Sequence, residues 1–233
     1  VQEDILVSQR ENGTWSKSIS VSSNVNTPDA NQGAHSISPD GRSLYFTICE
    51  SGGGYGSCDI YVSKRVGNNW GKPTNLGPKI NTKYKETQPC ISGDGRSLYF
   101  VSSRLGGQGM LDIWVSNLQN DGTWGEPQNL GPNVNTEHWD SHPALSHTED
   151  TLYFVSDRPG GFGANDIYYT HKNKHGEWMP AQNMGPIINT RGNDLSPFYH
   201  PVHHVFYFSS DNQVLNFGNF DIYKTRWNGV QWE

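Results

Sequence analysis

Three acidic side chains recur at a fixed place in the sequence and are the first candidates for chemistry. Glu86, Asp140 and Asp194 each lie five residues after the asparagine of an Asn-Thr pair. Each precedes a short strand that we expect to be innermost in its repeat, so the carboxylates are predicted to ring the mouth of a central channel. Such a ring could hold a cation or a cationic side chain. The alternative, which the recurrence itself favours, is that each acid hydrogen-bonds the backbone of a neighbouring blade or pairs with Arg104 or Arg158.

The residues around these acids differ from one repeat to the next, which makes them better candidates for specific recognition. They are Tyr84, His138, Trp139, His142 and Arg191. Exposed aromatic rings there could stack on a sugar or anchor a protein partner, because they combine a large apolar surface with a polar edge. Trp139 could equally plug the channel. Together with the three acids, these residues form the predicted ligand- or partner-binding site.

Other motifs for catalysis or metal binding are weak. His200, His203 and His204 have a spacing that resembles a metal site, but they fall in a turn where solvated imidazoles are expected instead. The sequence contains no nucleophile elbow, phosphate-binding loop or Cys-x-x-Cys pair. We therefore predict no catalytic residue, no bound metal and no cofactor.

Two cysteines are placed where they could pair. Cys49 and Cys58 flank a loop between two predicted strands, so a disulfide across this hairpin is geometrically plausible, and two free thiols are the alternative. A disulfide would indicate an oxidising compartment such as the periplasm. Cys90 lies in an apolar run and is predicted to be a small core residue.

The net charge, the apolar runs and the first residue each bear on what kind of protein this is. The formal net charge is −6 and no segment concentrates lysine and arginine, so nucleic acid is not an expected partner. No apolar run approaches the roughly 18 residues of a membrane-spanning helix. The chain begins with Val1 inside a strand-like run, and we interpret it as a piece of a longer or processed protein.

All of these residues lie on a repeat of 54 or 55 residues. The repeat is marked by Trp15, Trp70, Trp124, Trp178 and Trp232, and Asn-Thr, Asp-Ile and Leu-Tyr-Phe runs keep the same step. Each repeat contains four predicted antiparallel strands, the last of which carries the tryptophan, with tight Asp-Gly turns between them. Four-stranded units repeated around an axis form a propeller. We therefore predict an all-β fold in which residues 1–233 are a single β-propeller, with five blades as the simplest completion and the last blade closed by both chain ends.

Two recurrent residue types are predicted to serve the fold itself. The aspartate of each Asp-Ile pair is expected to orient the Gly-rich loop before it, and the tryptophans are expected to pack between blades. The Gly-rich loops and the segments after each Asn-Thr pair share one face of a propeller and vary in sequence. Variable loops on a rigid scaffold commonly carry function, so the binding site is predicted on that face.

The repeat resembles a known family. Residues 38–46 (Ser-Pro-Asp-Gly-Arg-Ser-Leu-Tyr-Phe) and 92–100 (Ser-Gly-Asp-Gly-Arg-Ser-Leu-Tyr-Phe) resemble the TolB-type, WD-like β-propeller repeat. The longer unit, with Leu130-Gly131-Pro132 and Asp166-Ile167-Tyr168, is similar to the propellers of OmpA-family outer-membrane proteins, including the PorE-like component of the type IX secretion system. The fourth repeat departs from the pattern, because Val202-His203 replaces Asp-Gly and Asp211-Asn212-Gln213 replaces Arg-x-Gly-Gly.

The resemblance implies a function. It predicts a non-catalytic, protein-binding or scaffolding propeller of a cell-envelope assembly, in the periplasm and associated with the outer membrane. The implied partners are other envelope or secretion proteins, and peptidoglycan only through a domain that this sequence lacks. The alternatives are a carbohydrate-active propeller, similar to TolB-like oligogalacturonate lyases with a metal held by channel carboxylates and His142, and a sugar-binding module.

Overall fold

The computed structural model describes residues 2–50, 52–200 and 202–233. Val1, and with it the predicted chain start, lies outside these ranges, as do Ser51 and Pro201. The chain forms two compact units: the first comprises Val1–Leu98 and Ser116–Pro127, and the second comprises Tyr99–Val115 and Gln128–Glu233. Within the described ranges there is no candidate for a membrane-spanning helix.

Every regular element within the described ranges is a β-strand. The strands are β1 (Leu6–Val7), β2 (Arg10–Glu11), β3 (Thr14–Trp15), β4 (Ile19–Ser20), β5 (Asn31–Ile37), β6 (Ser43–Cys49), β7 (Cys58–Val66), β8 (Asn69–Trp70), β9 (Thr74–Asn75), β10 (Glu86–Ile91), β11 (Ser97–Ser102), β12 (Asp112–Asn117), β13 (Gln128–Asn129), β14 (Asp140–Leu145), β15 (Thr151–Ser156), β16 (Asp166–His171), β17 (Gln182–Asn183), β18 (Asp194–His200), β19 (Val205–Ser210) and β20 (Asp221–Arg226). The all-β prediction is therefore confirmed.

The described strands form four blades, and the prediction of five is wrong. The blades are β5-β6-β7-β8 with β9 also on β7, then β10-β11-β12-β13, β14-β15-β16-β17, and β18-β19-β20. The N-terminal strands pair only among themselves, as β1 with β4 and β2 with β3. Ile5, beside β1, is buried in one cluster with Val25, Leu44 and Phe46. This segment therefore covers the core of the first blade and does not complete a fifth one.

The fourth strand of a blade also differs from the prediction. Trp70 lies in β8, but Trp124 and Trp178 make only isolated bridges, to Leu118 and Lys172. The outermost strands of the second and third blades are instead β13 and β17, which carry an asparagine farther along the chain. The prediction that the fourth strand carries the tryptophan is therefore right for Trp70 and wrong for Trp124 and Trp178.

The tryptophan rings pack against the preceding blade. Trp124 lies edge-on to Tyr45 of β6, with 6.3 Å between ring centroids, and Trp178 lies edge-on to Tyr99 of β11 at 6.4 Å. An edge-to-face pair of this kind adds about 0.5–1.5 kcal/mol to the stabilisation from burial. The prediction that tryptophans pack between blades is confirmed for these two.

The core of each blade comes from its second strand. The Leu-Tyr-Phe-type runs alternate across the sheet, and four of their phenylalanines have no exposed surface. These residues are Phe46, Phe100, Phe154 and Phe206. Burying one such ring stabilises the fold by about 1.5–3 kcal/mol.

The innermost strand of each blade carries one residue in a left-handed conformation. Strands β5, β14 and β18 each shift register at this point, which is the mark of a β-bulge. The left-handed residues are Ala34, Gln88, His142 and Ser196, with φ between 43° and 52°. They recur at a step of 54 residues, so the bulge belongs to the repeat while its side chain changes.

The structure joins Cys49 and Cys58 by a disulfide between β6 and β7. The bridge closes a loop with a sequence separation of 9. Restricting the unfolded chain over such a short loop stabilises a protein by about 2–3 kcal/mol. We expect the double variant Cys49→Ser with Cys58→Ser to lose about this much in urea unfolding. A reducing agent should weaken the wild type equally and leave the double variant unchanged. An unchanged wild type under complete reduction would contradict the prediction.

Candidate functional site

The aspartates of the Asp-Ile pairs hold the Gly-rich loops in place. The carboxylate of Asp112 accepts hydrogen bonds from the backbone N–H groups of Gln108 (2.5 Å) and Gly109 (3.2 Å) and from the side-chain amide of Asn129 (3.2 Å). Burial raises the pKa of Asp112, and these bonds act against that rise. The same arrangement occurs at Asp59 and Asp166. The prediction that this aspartate orients the loop is confirmed.

The glycines of these loops leave room for two different neighbours. A Cβ on Gly107 would lie 1.7 Å from the Oδ2 of Asp112. A Cβ on Gly109 would lie 2.4 Å from the backbone oxygen of Thr136, in the segment that leads to the next blade. Gly106, with φ of 90°, supplies the turn itself. The Gly-Gly-x-Gly pattern therefore seats both the aspartate and the following Asn-Thr segment.

The three recurrent acids are buried in the fold. Glu86, Asp140 and Asp194 have no exposed surface. Each accepts a 2.6 Å hydrogen bond from a threonine N–H and a further bond from that threonine's hydroxyl; the threonines are Thr82, Thr136 and Thr190 of the Asn-Thr pairs. The acids therefore serve the fold and are not displayed to solvent. Their bonds close the Asn-Thr loop that directly precedes each acid, whereas the predicted bond was to the backbone of a neighbouring blade.

The asparagine of each pair and a second asparagine complete this network. The Oδ1 of Asn135 accepts from the N–H of Ile113 at 2.8 Å, and its Nδ2 donates to the oxygen of Ile113 and to the Oδ1 of Asn129, both at 2.9 Å. Asn129 was missed by the sequence reasoning. Its recurrence as Asn75 and Asn183, six residues before each Asn-Thr pair, could have revealed it.

Asp140 and Asp194 differ in one partner. The Nη2 of Arg158 donates to the Oδ1 of Asp140 at 2.5 Å and to the oxygen of Val134 at 2.6 Å. In the fourth blade Gln213 stands in for the arginine and donates to the oxygen of Ile188 at 2.8 Å. Among the described residues the buried Oδ1 of Asp194 has no hydrogen-bond partner. Burial raises the pKa of Asp194.

The variable residues beside Asp140 form an open surface. Trp139 is 48% exposed, and its Nε1 lies 3.3 Å from the Sδ of Met110. Its backbone N–H donates to the Oδ1 of Asp157 at 2.8 Å, and the Nδ1 of His138 lies 4.0 Å from the same oxygen. We call Met110, His138, Trp139 and Asp157 the Trp139 surface. It joins the Gly-rich loop before it to the loop that follows β15.

The remaining predicted site residues lie in different surroundings. His142 is half-buried at the bulge of β14, with its Nδ1 3.0 Å from the Oγ of Ser141, and burial lowers its pKa to about 4. Its ring is therefore neutral at pH 7. Tyr84 is half-buried, and the Nζ of Lys83 lies 5.3 Å from its ring centroid. Arg191 is exposed.

These residues divide between the two compact units. Tyr84 and Glu86 belong to the first, and the other predicted site residues belong to the second: His138, Trp139, Asp140, His142, Arg191 and Asp194. Within the ranges that the structure describes, no group of three or more His, Cys, Asp or Glu side chains could hold a metal ion. The His204 imidazole instead bonds the hydroxyl of Tyr199 at 3.0 Å.

Comparison with known proteins shows the fold. No protein-family model matches the chain, and no curated protein matches it. TolB from Acinetobacter baumannii is similar in structure, with 18% identity over 86% of this chain and 41% of TolB and a TM-score of 0.52. The arabinanase of Bacillus subtilis has 16% identity over 99% of this chain and 89% of that enzyme, with a TM-score of 0.58. The α-L-arabinofuranosidase of Lactobacillus brevis has 11% identity over 88% of this chain and 77% of that enzyme, with a TM-score of 0.57.

The chain has a β-propeller fold. TolB is among its structural neighbours, so the TolB-type resemblance is supported at the level of the fold, although this chain spans only 41% of TolB's length. An arabinanase and an α-L-arabinofuranosidase share the same fold. Fold alone therefore does not assign an activity.

Proposed function

We propose that this propeller is a non-catalytic, protein-binding scaffold of a bacterial cell-envelope assembly. Within that class, the repeat resemblance favours OmpA-family proteins and the type IX secretion system. The observation that carries the proposal is a contrast between two sets of residues. The recurrent acids are engaged inside the fold, whereas the variable loops present large apolar side chains to solvent.

The recurrent acids are poorly suited to catalysis. General acid–base work needs a carboxyl that can reach a substrate. Glu86, Asp140 and Asp194 have no exposed surface, and the threonine bonds occupy at least one oxygen of each. Asp140 is also paired with Arg158. These groups support the loops, and a substrate that reached them would have to displace those bonds.

The loops of the second unit are suited to a protein partner. Leu105 is 79% exposed, Met110 65% and Phe162 47%, and all three lie in Gly-rich loops that are held by buried aspartates. Trp139 adds an exposed indole beside Met110. Tryptophan and methionine are enriched at protein interfaces, and a rigid scaffold lowers the entropy lost on binding. The Trp139 surface is thus the proposed anchor.

The disulfide supports the proposed compartment. A disulfide between Cys49 and Cys58 forms and persists in oxidising surroundings such as the periplasm. Attachment to the outer membrane and to peptidoglycan would come from segments of a longer protein, as the resemblance implies.

The test is the double variant Trp139→Ala with Met110→Ser. The wild-type protein is used to capture its partner from envelope extract of the source bacterium, and the purified partner's affinity is then measured by calorimetry. We expect the double variant to bind at least tenfold more weakly, because loss of a buried tryptophan anchor costs about 2 kcal/mol or more. Ile19→Ser, at a residue of the first unit that is 65% exposed, should bind like the wild type.

Two results would count against the scaffold. If the double variant bound the partner as tightly as the wild type does, the Trp139 surface would not be part of the interface. Purified wild type that carries a stoichiometric transition metal, lost in a folded His142→Ala variant, would favour the lyase-like alternative, since that chemistry needs a metal held by this residue.

A further inference from the structure

The second unit contains a cleft on the side of the short turns, at the opposite ends of β14 and β15 from the Trp139 surface. It has a volume of about 630 Å³. Its walls are aromatic and come from the third and fourth blades: Tyr153, Tyr169, Tyr199, Trp227 and Trp232. Nothing in the proposed scaffold role uses this cleft.

The cleft exists because the repeat is broken at one position. In the first two blades, the tyrosine of the second strand is covered by the tryptophan of the next blade. Trp124 covers Tyr45 with 6.3 Å between ring centroids, and Trp178 covers Tyr99 at 6.4 Å. The corresponding Tyr153 instead stacks on Tyr199, with 6.2 Å between centroids and 18° between planes. Trp232, which the repeat would place on Tyr153, packs on Phe206 at 5.3 Å.

A single residue type accounts for this exchange. Tyr199 pairs with Phe206 of the neighbouring strand, and the equivalent positions in the other innermost strands are aliphatic: Ile37, Ile91 and Leu145. The aromatic ring of Tyr199 extends over Tyr153 and covers it. Tyr199 and Trp232 therefore both become cleft walls.

Tyr153 offers an unused polar group to the cleft. Its side chain is only 9% exposed, and among the described residues its hydroxyl has no hydrogen-bond partner. Burial raises the pKa of Tyr153 to about 12, so the hydroxyl keeps its proton and can both donate and accept.

The rim is polar but carries little charge. Asp150 is the one acidic residue of the lining, and its Oδ1 already accepts from the hydroxyls of Thr148 (2.8 Å) and Thr151 (2.9 Å). Ser146, Asn183 and three histidines supply the other polar groups. The described lining contains no lysine or arginine, so it offers no fixed cation to a carboxylated or phosphorylated ligand.

We propose that this cleft binds a neutral oligosaccharide. Pyranose rings have an apolar face for Tyr199 and Trp232 and hydroxyl groups for Tyr153 and the rim, and aromatic walls with a few convergent polar groups are typical of ligand pockets. The site goes beyond the proposed scaffold role and does not depend on it. A protein partner's aromatic side chain could enter the same space, and the experiment below separates the two.

The test uses calorimetry with cellotriose, maltotriose, chitotriose and, as the anionic comparison, trigalacturonate. At least one neutral trisaccharide is expected to bind at micromolar to millimolar concentration. Tyr153→Phe should weaken it about three- to tenfold, because it removes one hydrogen-bonding group. Tyr199→Ile restores the aliphatic residue of the other repeats, lets Trp232 cap Tyr153, and should abolish binding while the protein stays folded.

Tyr45→Phe is the matched control. It makes the same change at the same repeat position, where Trp124 covers the ring, and should leave affinity unchanged. The proposal is overturned if no neutral trisaccharide binds the wild type at millimolar concentration, or if Tyr45→Phe weakens binding as much as Tyr153→Phe. It is also overturned if trigalacturonate binds at least as tightly, or if only a tryptophan-containing peptide binds and is lost in Tyr199→Ile.

Discussion

Replacing Gly56 with alanine is expected to destabilise the protein by about 3 kcal/mol or more. The added Cβ would lie 1.8 Å from the backbone oxygen of Tyr84 and 2.6 Å from that of Thr82. Both oxygens belong to the main chain of a segment that is held in place by its hydrogen bonds to Glu86. Moving either oxygen away from the new Cβ would therefore disrupt those bonds. The urea midpoint should fall while the slope of the transition stays constant, since the surface exposed on unfolding is unchanged.

Gly52→Ala is the control for this prediction. Gly52 lies in the same loop, and a Cβ there would meet nothing within 4 Å. We expect a change within about 0.5 kcal/mol, as for other open surface positions. If the two variants had equal midpoints, the seating of the Gly-rich loop against the Asn-Thr segment would be wrong.

The second large effect is expected for Asp140→Asn. Breaking a buried ion pair by removing one partner costs about 3–5 kcal/mol, because the other charge is left without compensation. Arg158 keeps a side chain only 15% exposed, and its guanidinium also lies 4.8 Å from the ring centroid of Tyr168. It therefore cannot move into water without losing that packing. The loss should appear as a lower free energy of unfolding at pH 7.

Asp194→Asn is the matched comparison and should be neutral or stabilising at pH 7. The raised pKa of Asp194 means that the fold favours the protonated carboxyl, so the ionised group opposes folding above its folded pKa. That cost disappears as pH falls through the folded pKa, and the difference between variant and wild type should shrink there. A loss at pH 7 equal to that of Asp140→Asn would contradict the role given to Arg158.

The recurrence of residues predicted their roles well where the partner lies within the same repeat. Asp112 could be assigned to the Gly-rich loop because a loop of this kind precedes the aspartate at the same spacing in successive repeats. The Asp140–Arg158 pair was foreseen as one alternative for the same reason. Local spacing carries this information since both partners are fixed by the same short stretch of chain.

Recurrence failed where the outcome depends on a contact between blades or on strand pairing. Trp124 was placed in a strand, although its ring is held by Tyr45 of another blade and the sheet is completed by Asn129. The number of blades was wrong because the pattern does not show that Ile5 packs on the first blade. The cleft at Tyr153 was missed since one aromatic side chain at position 199 redirects two rings, which no spacing reveals.

The left-handed bulge of the innermost strands has a consequence for how such a protein can change its ligand. Ala34, Gln88, His142 and Ser196 hold a backbone conformation that costs a non-glycine residue about 1 kcal/mol or more, yet none of them is glycine. The surrounding strand pairs impose the conformation whatever the side chain. A mutation there alters the chemistry of the inner strand without altering its path, so specificity can drift between blades while the architecture stays constant.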